Sequence, residues 1–234
     1  MTTVILTFVP SILILSYFIF NDKFKEPIGS IILIFFLGFL ICLPAGILNG
    51  LSDDFFFKKL NYSEDLTVSF LGPAWAEELL KFAILYFIVM KRNEFNEPMD
   101  GLVYGVTVSL GFATYENYTY VYEWAVAIAK EENFSAEAFS YLVALGRSYS
   151  AIPLHGFNGA VMGYYFGMYA FTGNKNYLAL SLVLPYLFHG FYNYLLFPSS
   201  MIIIIILVIF SLYLHRNLRK KQKLKKIEKE QIKI

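Results

Sequence analysis

The chain has 234 residues, 57% hydrophobic and 16% charged, with a net charge of +1 and a mean hydropathy of +0.55. A soluble domain carries about a quarter charged residues, so the composition excludes an ordinary soluble enzyme. It implies an all-α, polytopic transmembrane helical bundle embedded in lipid, with no nucleic-acid partner.

A bilayer core about 30 Å thick needs roughly 20 apolar residues per helix. That rule predicts seven spans, at 3–20, 28–49, 66–90, 99–127, 139–171, 177–197 and 199–215. The first, "MTTVILTFVPSILILSYFIF", lacks a basic leader and a small-residue cleavage site, and reads as a retained span. Cys42 in the second is the chain's one cysteine. It excludes an internal disulfide and a multi-cysteine metal site, and reads as packing. The spans 99–127 and 139–171 exceed the minimum length, so a tilt or break is expected. Pro153 is placed to kink the fifth. Asp100, before "GLVYG", reads as the N-cap of the fourth. Gly159, Gly163 and Gly167 recur every four residues and predict a face on which another helix packs closely.

Lys and Arg in the loops set the orientation. With the N-terminus outside and the C-terminus inside, Lys23, Lys25, Lys91, Arg92, Lys175 and the nine basic residues of 216–234 face the cytoplasm. Lys58, Lys59 and Lys130 face outward. Residues 1–215 therefore read as one integral-membrane domain, and 216–234 as a basic cytoplasmic tail that anchors the topology. His215, at the last helix end, reads as interfacial.

Ionisable side chains inside a span cost about 2.5–3.5 kcal/mol each on insertion scales and persist where they face a bundle interior and have partners. Here Glu77, Glu78, Lys81, Glu116, Arg147, His155 and His189 fall inside spans, with Asn117, Asn158 and Asn193 beside them. Counting inward from the span edges at 1.5 Å per residue puts Glu77 about 16 Å and His189 about 18 Å deep. His155 is central in 139–171. The carboxylates and imidazoles then share one layer, biased outward, as a polar chamber would require. Lys81 is i+4 from Glu77 and i+3 from Glu78, so it reaches either one. The two glutamates diverge by 100° around the helix, which leaves one free to act as a base. His189 and Asn193, at i and i+4, could donate together to a developing oxyanion. Arg147 reads as an outer-interface or structural charge. The sequence has no H-E-x-x-H and no G-x-S-x-G, which excludes the commonest zinc-protease helix and the nucleophile elbow. The remaining chemistry is glutamate and histidine. As metal ligands, Glu77, Glu116, His155 and His189 would suit zinc or iron. A proton-coupled carrier or channel would use the same carboxylates as a relay.

Read in order, "EELLK" (77–81), "DGLVYG" (100–105), "GFATYEN" (111–117), "RSYSAIPLHG" (147–156) and "HGFYN" (189–193) resemble the PrsW family of membrane proteases, related to the CAAX prenyl endopeptidases and the bacterial CPBP proteins. The resemblance covers about residues 70–195. The lysine follows the glutamate pair one position earlier than the arginine of the CAAX-type motif, and Glu116 replaces that motif's F-x-x-x-H histidine. Both departures fit the PrsW branch and not prenyl-protein processing. The resemblance implies a multi-pass, glutamic-type intramembrane endopeptidase of the bacterial cytoplasmic membrane. No cofactor is expected, with a divalent metal such as zinc as the alternative. Its substrate would be a single-span membrane protein, of the kind represented by an anti-sigma factor, cut on the side away from the cytoplasm. It also implies roles. Glu77 activates water, Glu78 with Lys81 holds the motif, and Glu116, His155 and His189 complete the site. Asn193 assists the oxyanion, and Asn117 and Arg147 support.

Overall fold

In a computed structural model the structure describes residues 1–195 and 197–231, with side chains described as far as Leu224. Among the described residues there is no strand. Among the described residues ten α-helices follow in order: α1 (Thr2–Asn21), α2 (Ile28–Ser52), the single turn α3 (Glu64–Leu66), α4 (Trp75–Phe87), α5 (Pro98–Tyr118), α6 (Ala125–Glu131), α7 (Ala136–Tyr149), α8 (Ala151–Thr172), α9 (Lys175–Tyr194) and α10 (Ser200–Gln231). Wide π-helical turns link them at Asp53–Lys59, Thr67–Ala74 and Thr119–Trp124. The chain is an all-α membrane bundle. The segments Thr2–Asn21, Ile28–Lys59 and Ser200–Leu224 are long and apolar enough to cross a bilayer on length and composition alone. The polar residues fall on α4, α5, α7, α8 and α9, between them.

The middle of the bundle is α5, with 16 of its 21 residues buried. Glycines let its neighbours approach to backbone contact. A Cβ at Gly105 would lie 2.3 Å from the Gly159 carbonyl oxygen, and one at Gly163 would lie 2.1 Å from that of Gly101. The predicted glycine face of α8 thus has a matching glycine face on α5. On its other side α5 meets α2, where a Cβ at Gly38 would lie 2.1 Å from the Val108 carbonyl oxygen. Small residues at a helix crossing replace side-chain packing with main-chain van der Waals contact.

The structure corrects several boundaries. The long fifth span is two helices, α7 and α8, separated at Ser150 (φ −120, ψ −77). Pro153 is the cause, by breaking rather than kinking. It has no N–H to offer the Tyr149 carbonyl four residues back, and its ring crowds that carbonyl. The Ser148 and Ser150 hydroxyls already bond to the Leu145 and Gly146 carbonyls at 2.7 and 2.8 Å, which weakens the ladder on the approach. Pro153 itself sits harmlessly in the first turn of α8. The N-cap of α5 is Glu97, not Asp100. Pro98 fixes the first helical position, so Asp100 takes the third. There its carboxylate accepts from the backbone N–H of Asn96 and Glu97 at 2.7 and 2.8 Å, half of a capping box.

The basic segment from Arg216 continues α10 without interruption as far as Gln231; residues 232–234 lie outside the described residues. Leu218 and Gln222 are buried. Gln222 donates to Asp22 and Glu97 and accepts from the Lys23 N–H, pinning α10 to the α1–α2 turn and the start of α5. His215 is buried against Tyr17 and Phe18 rather than interfacial. In the loop before α5, Glu94 takes the Ser30 hydroxyl, its own backbone N–H and Arg92, and these hold its carboxyl down at about 2.

Gly105→Ala is expected to lower the stability of the bundle by about 1–3 kcal/mol, the cost of overpacking. Gly29, with open space around a Cβ, should accept alanine with a change within about 0.5 kcal/mol. Thermal unfolding of the two variants in one detergent checks both.

Candidate active site

The polar residues gather toward one end of the core helices. Glu77, Glu78 and Lys81 are the third, fourth and seventh residues of α4. His155 is the fifth residue of α8, and Glu116 and Asn117 lie in the last turn of α5. His189 and Asn193 lie in the last two turns of α9, and Arg147 in the last turn of α7. Neighbouring helices run antiparallel, so the starts of α4 and α8 meet the ends of α5 and α9. His155 is therefore not central in a long helix, as its place in 139–171 predicts. The break at Ser150 makes it the head of a new one. The loops carrying Lys23, Lys25, Lys91, Arg92 and Lys175 lie at the opposite end.

One hydrogen-bond chain joins the group. Lys81 Nζ donates to Glu78 Oε1 at 2.8 Å and stands 3.0 Å from His155 Nδ1 and 3.6 Å from Glu77 Oε2. It also lies over the Phe112 ring, 4.3 Å from its centroid. An ammonium has only donors, so His155 Nδ1 accepts from it. That fixes the proton on Nε2, which donates to Glu116 Oε2 at 3.0 Å. Arg147 Nη2 donates to the same oxygen at 2.5 Å, and its Nε donates to Asn117 Oδ1 at 2.6 Å. Asn117 in turn donates to the Thr7 carbonyl at 2.8 Å. At the other end of the chain, His189 Nδ1 donates to Glu78 Oε1 at 2.9 Å. Arg147 is thus part of the cluster rather than an outer-interface charge. Asn158 is not: it donates to the Pro185 carbonyl at 3.0 Å and braces α8 against α9.

Burial is nearly complete. Glu78 and Lys81 are fully buried, and Glu77, His155 and His189 are 3%, 2% and 3% exposed. Three carboxyl groups face two fixed cations, Lys81 and Arg147. Glu78 and Glu116 take the close contacts with them, and Glu77 is left over.

A cleft of about 600 Å³ opens onto this group. Glu77, Glu116, Arg147, His155, His189 and Asn193 line it, and Glu78 and Lys81 do not. Glu77 Oε2 has no hydrogen-bond partner among the described residues. Sequence reading misses the opposite wall, which α2 supplies through Cys42, Ala45, Gly46 and Asn49. In a uniformly apolar span only Asn49 gives a polar signal. Tyr115, Tyr120 and Tyr192 also line the cleft, with the Tyr120 ring under the Arg147 guanidinium at 4.1 Å. From the sequence these tyrosines are indistinguishable from interfacial ones.

A helical membrane bundle with a buried glutamate–histidine cluster facing a cleft defines the class. The model of a family described as "PrsW family intramembrane metalloprotease" matches residues 26–215. "Protease PrsW" of Bacillus subtilis (strain 168) is 34% identical over 196 residues, covering 82% of this chain and 81% of that protein. The proteins of the same name from Geobacillus kaustophilus (strain HTA426) and Clostridioides difficile (strain 630) are each 32% identical. They cover 82% and 87% of this chain and 78% and 83% of their own lengths. No solved structure is a significant match. The chain belongs to the PrsW family of membrane proteases.

The family description names a metal, and the donors can be tested against one. Glu77, Glu78, His155 and His189 each bring one ligand atom within 4.8 Å of the others, a spread that would suit a metal. Glu77 Oε2 and Glu78 Oε2 hold no hydrogen bond among the described residues, as free ligand atoms would. Two facts oppose a metal. Both His155 nitrogens are engaged, with Lys81 and with Glu116. The Lys81 ammonium stands among the same atoms, and a dication about 4 Å from it would meet roughly 8 kcal/mol of repulsion at an effective dielectric constant near 20. The cluster as arranged does not fit a divalent metal.

Glu78→Ala would leave the Lys81 ammonium buried without its main counter-charge. The expected loss is about 3–5 kcal/mol of stability. Adding Lys81→Met should recover a large part of it. A double-mutant cycle on thermal unfolding reads the difference.

Proposed function

We propose that the protein is a multi-pass endopeptidase of the bacterial cytoplasmic membrane, crossing about seven times with its N-terminus outside. It hydrolyses a peptide bond of a single-span membrane protein with a water activated by Glu77. The observation that supports this reading best is the division between two adjacent carboxylates. Glu78 is tied to Lys81 and His189. Glu77 lines the cleft, and its Oε2 stands 3.6 Å from Lys81 Nζ, too far for a hydrogen bond. The relatives named as proteases support the reaction class.

In this reading the substrate enters the cleft between the α2 wall and the ends of α5 and α9. Glu77 takes one proton from water as the water oxygen bonds to the carbonyl carbon. The oxyanion so formed accepts from the Asn193 amide, and His189, whose ring Glu78 orients by accepting from Nδ1–H, lines the cleft beside it. The C–N bond then breaks, and Glu77 delivers its proton to the departing amine. His155 has both nitrogens engaged, so it orients Glu116 and Lys81 and transfers no proton. The basic loops at the far end of the bundle favour a cleft on the side away from the cytoplasm. As the resemblance to the PrsW family implies, the substrate we propose is a single-span membrane protein of anti-sigma-factor type, and lipid is the other partner.

Glu77→Gln keeps the shape of the side chain and removes the base. Cleavage is expected to fall by about 10²- to 10⁴-fold, with the thermal transition retained. Membrane proteomics of cells carrying wild type or Glu77→Gln should reveal a single-span protein that accumulates uncut in the variant. Undiminished cleavage by a stably expressed Glu77→Gln would sink the assignment.

A further inference from the structure

We infer that the Lys81 ammonium is the resident cation of the glutamate–histidine cluster, and that Lys81 and a divalent metal exclude one another from it. The inference rests on the same site as the peptidase reading and gives its positive charge a source.

Lys81 is fully buried, one turn after Glu77 and Glu78 on α4. A lysine is retained in such a place where its charge is matched atom by atom. Here one N–H meets Glu78 Oε1 and another meets His155 Nδ1. The remaining side of the ammonium faces Glu77 Oε2 and the Phe112 ring, both attractive to a cation. Three of the four would-be metal ligands therefore already surround a positive charge. His155 does so through Nδ1 and Glu78 through Oε1, while Glu78 Oε2 holds no hydrogen bond among the described residues.

The ammonium also does what a metal would do for geometry. It holds two carboxylates 100° apart on α4 toward one point and ties α4 to α8 through His155. It sets the His155 tautomer as well, since a nitrogen accepting from an ammonium has no proton. A metal cannot enter without displacing the side chain that organises its ligands. Conversely, removing the ammonium while keeping the carboxylates and imidazoles leaves a cluster of ordinary zinc composition.

Elemental analysis decides. The full chain, purified in detergent, is equilibrated with zinc and passed over gel filtration. Wild type and Lys81→Arg, which keeps a cation, are expected to carry well under one zinc per chain. Lys81→Met is expected to gain one, and to lose it again when His189→Ala is added. One zinc per chain on wild type overturns the inference. So does a monodisperse Lys81→Met that binds no more zinc than wild type, or a gained zinc that survives His189→Ala. If Lys81→Met does not fold, zinc titration of wild type decides alone: binding at one per chain overturns, and sub-stoichiometric binding supports. None of these counts depends on cleavage. A failed peptidase reading would leave them unchanged, and a failed metal count would leave the Glu77→Gln result unchanged.

Discussion

A buried ammonium in an apolar bundle has to be neutralised where it stands, because water is not there to do it. Lys81 meets that demand with Glu78 at 2.8 Å and His155 at 3.0 Å, and the rest of the site follows from those two contacts. Glu78, once committed, can orient His189. His155, once accepting, must present its proton to Glu116. Glu116 then needs a second donor to settle a buried negative charge, and Arg147 supplies it. Each link is a local requirement for charge or hydrogen-bond balance. Together they run across five helices without using Glu77 as a main partner.

That network depends on distances between helices, and those depend on glycine. The contacts between α5 and α8 bring main chain to main chain at Gly101, Gly105, Gly159 and Gly163. They fix the separation of Glu116 from His155, which sit on the same two helices. A bundle held apart by leucine-sized residues would place those groups several ångströms further from each other, beyond hydrogen bonding. Gln222, by donating to Asp22 and Glu97, pins the opposite end, so that the helices are clamped at one end and carry chemistry at the other.

Much of this is legible in the sequence, for reasons that differ by residue. The Glu78–Lys81 pair is local, set by helical spacing alone. Glu116, His155 and His189 stand out because a charged or polar residue in an apolar run is costly enough to need a reason. The glycine face announces itself by its period of four. What hydropathy does not reveal is where a long apolar run is broken. Two short polar residues and a proline divide 139–171, and the depth of His155 changes with that division. Nor does it reveal a wall built of apolar residues. Cys42, Ala45 and Gly46 of α2 line the cleft and look like any lipid-facing segment.

The break at Ser150 explains why Arg147 belongs to the site although it lies outside the helix that carries His155. In one continuous helix, residues 147 and 155 would be eight apart, about 12 Å along the axis, and one carboxylate could not reach both. Ending α7 at Tyr149 and restarting at Ala151 lets the chain change direction, so that Arg147 and His155 approach Glu116 Oε2 from two sides, at 2.5 and 3.0 Å. Asn117 holds the guanidinium in place from the next residue of α5, and through Thr7 ties it to the start of α1. The proline that cannot continue the helix is therefore part of how the cluster is assembled. Its missing N–H costs a backbone bond at Tyr149, and the turn it enforces brings a second cation to a buried carboxylate.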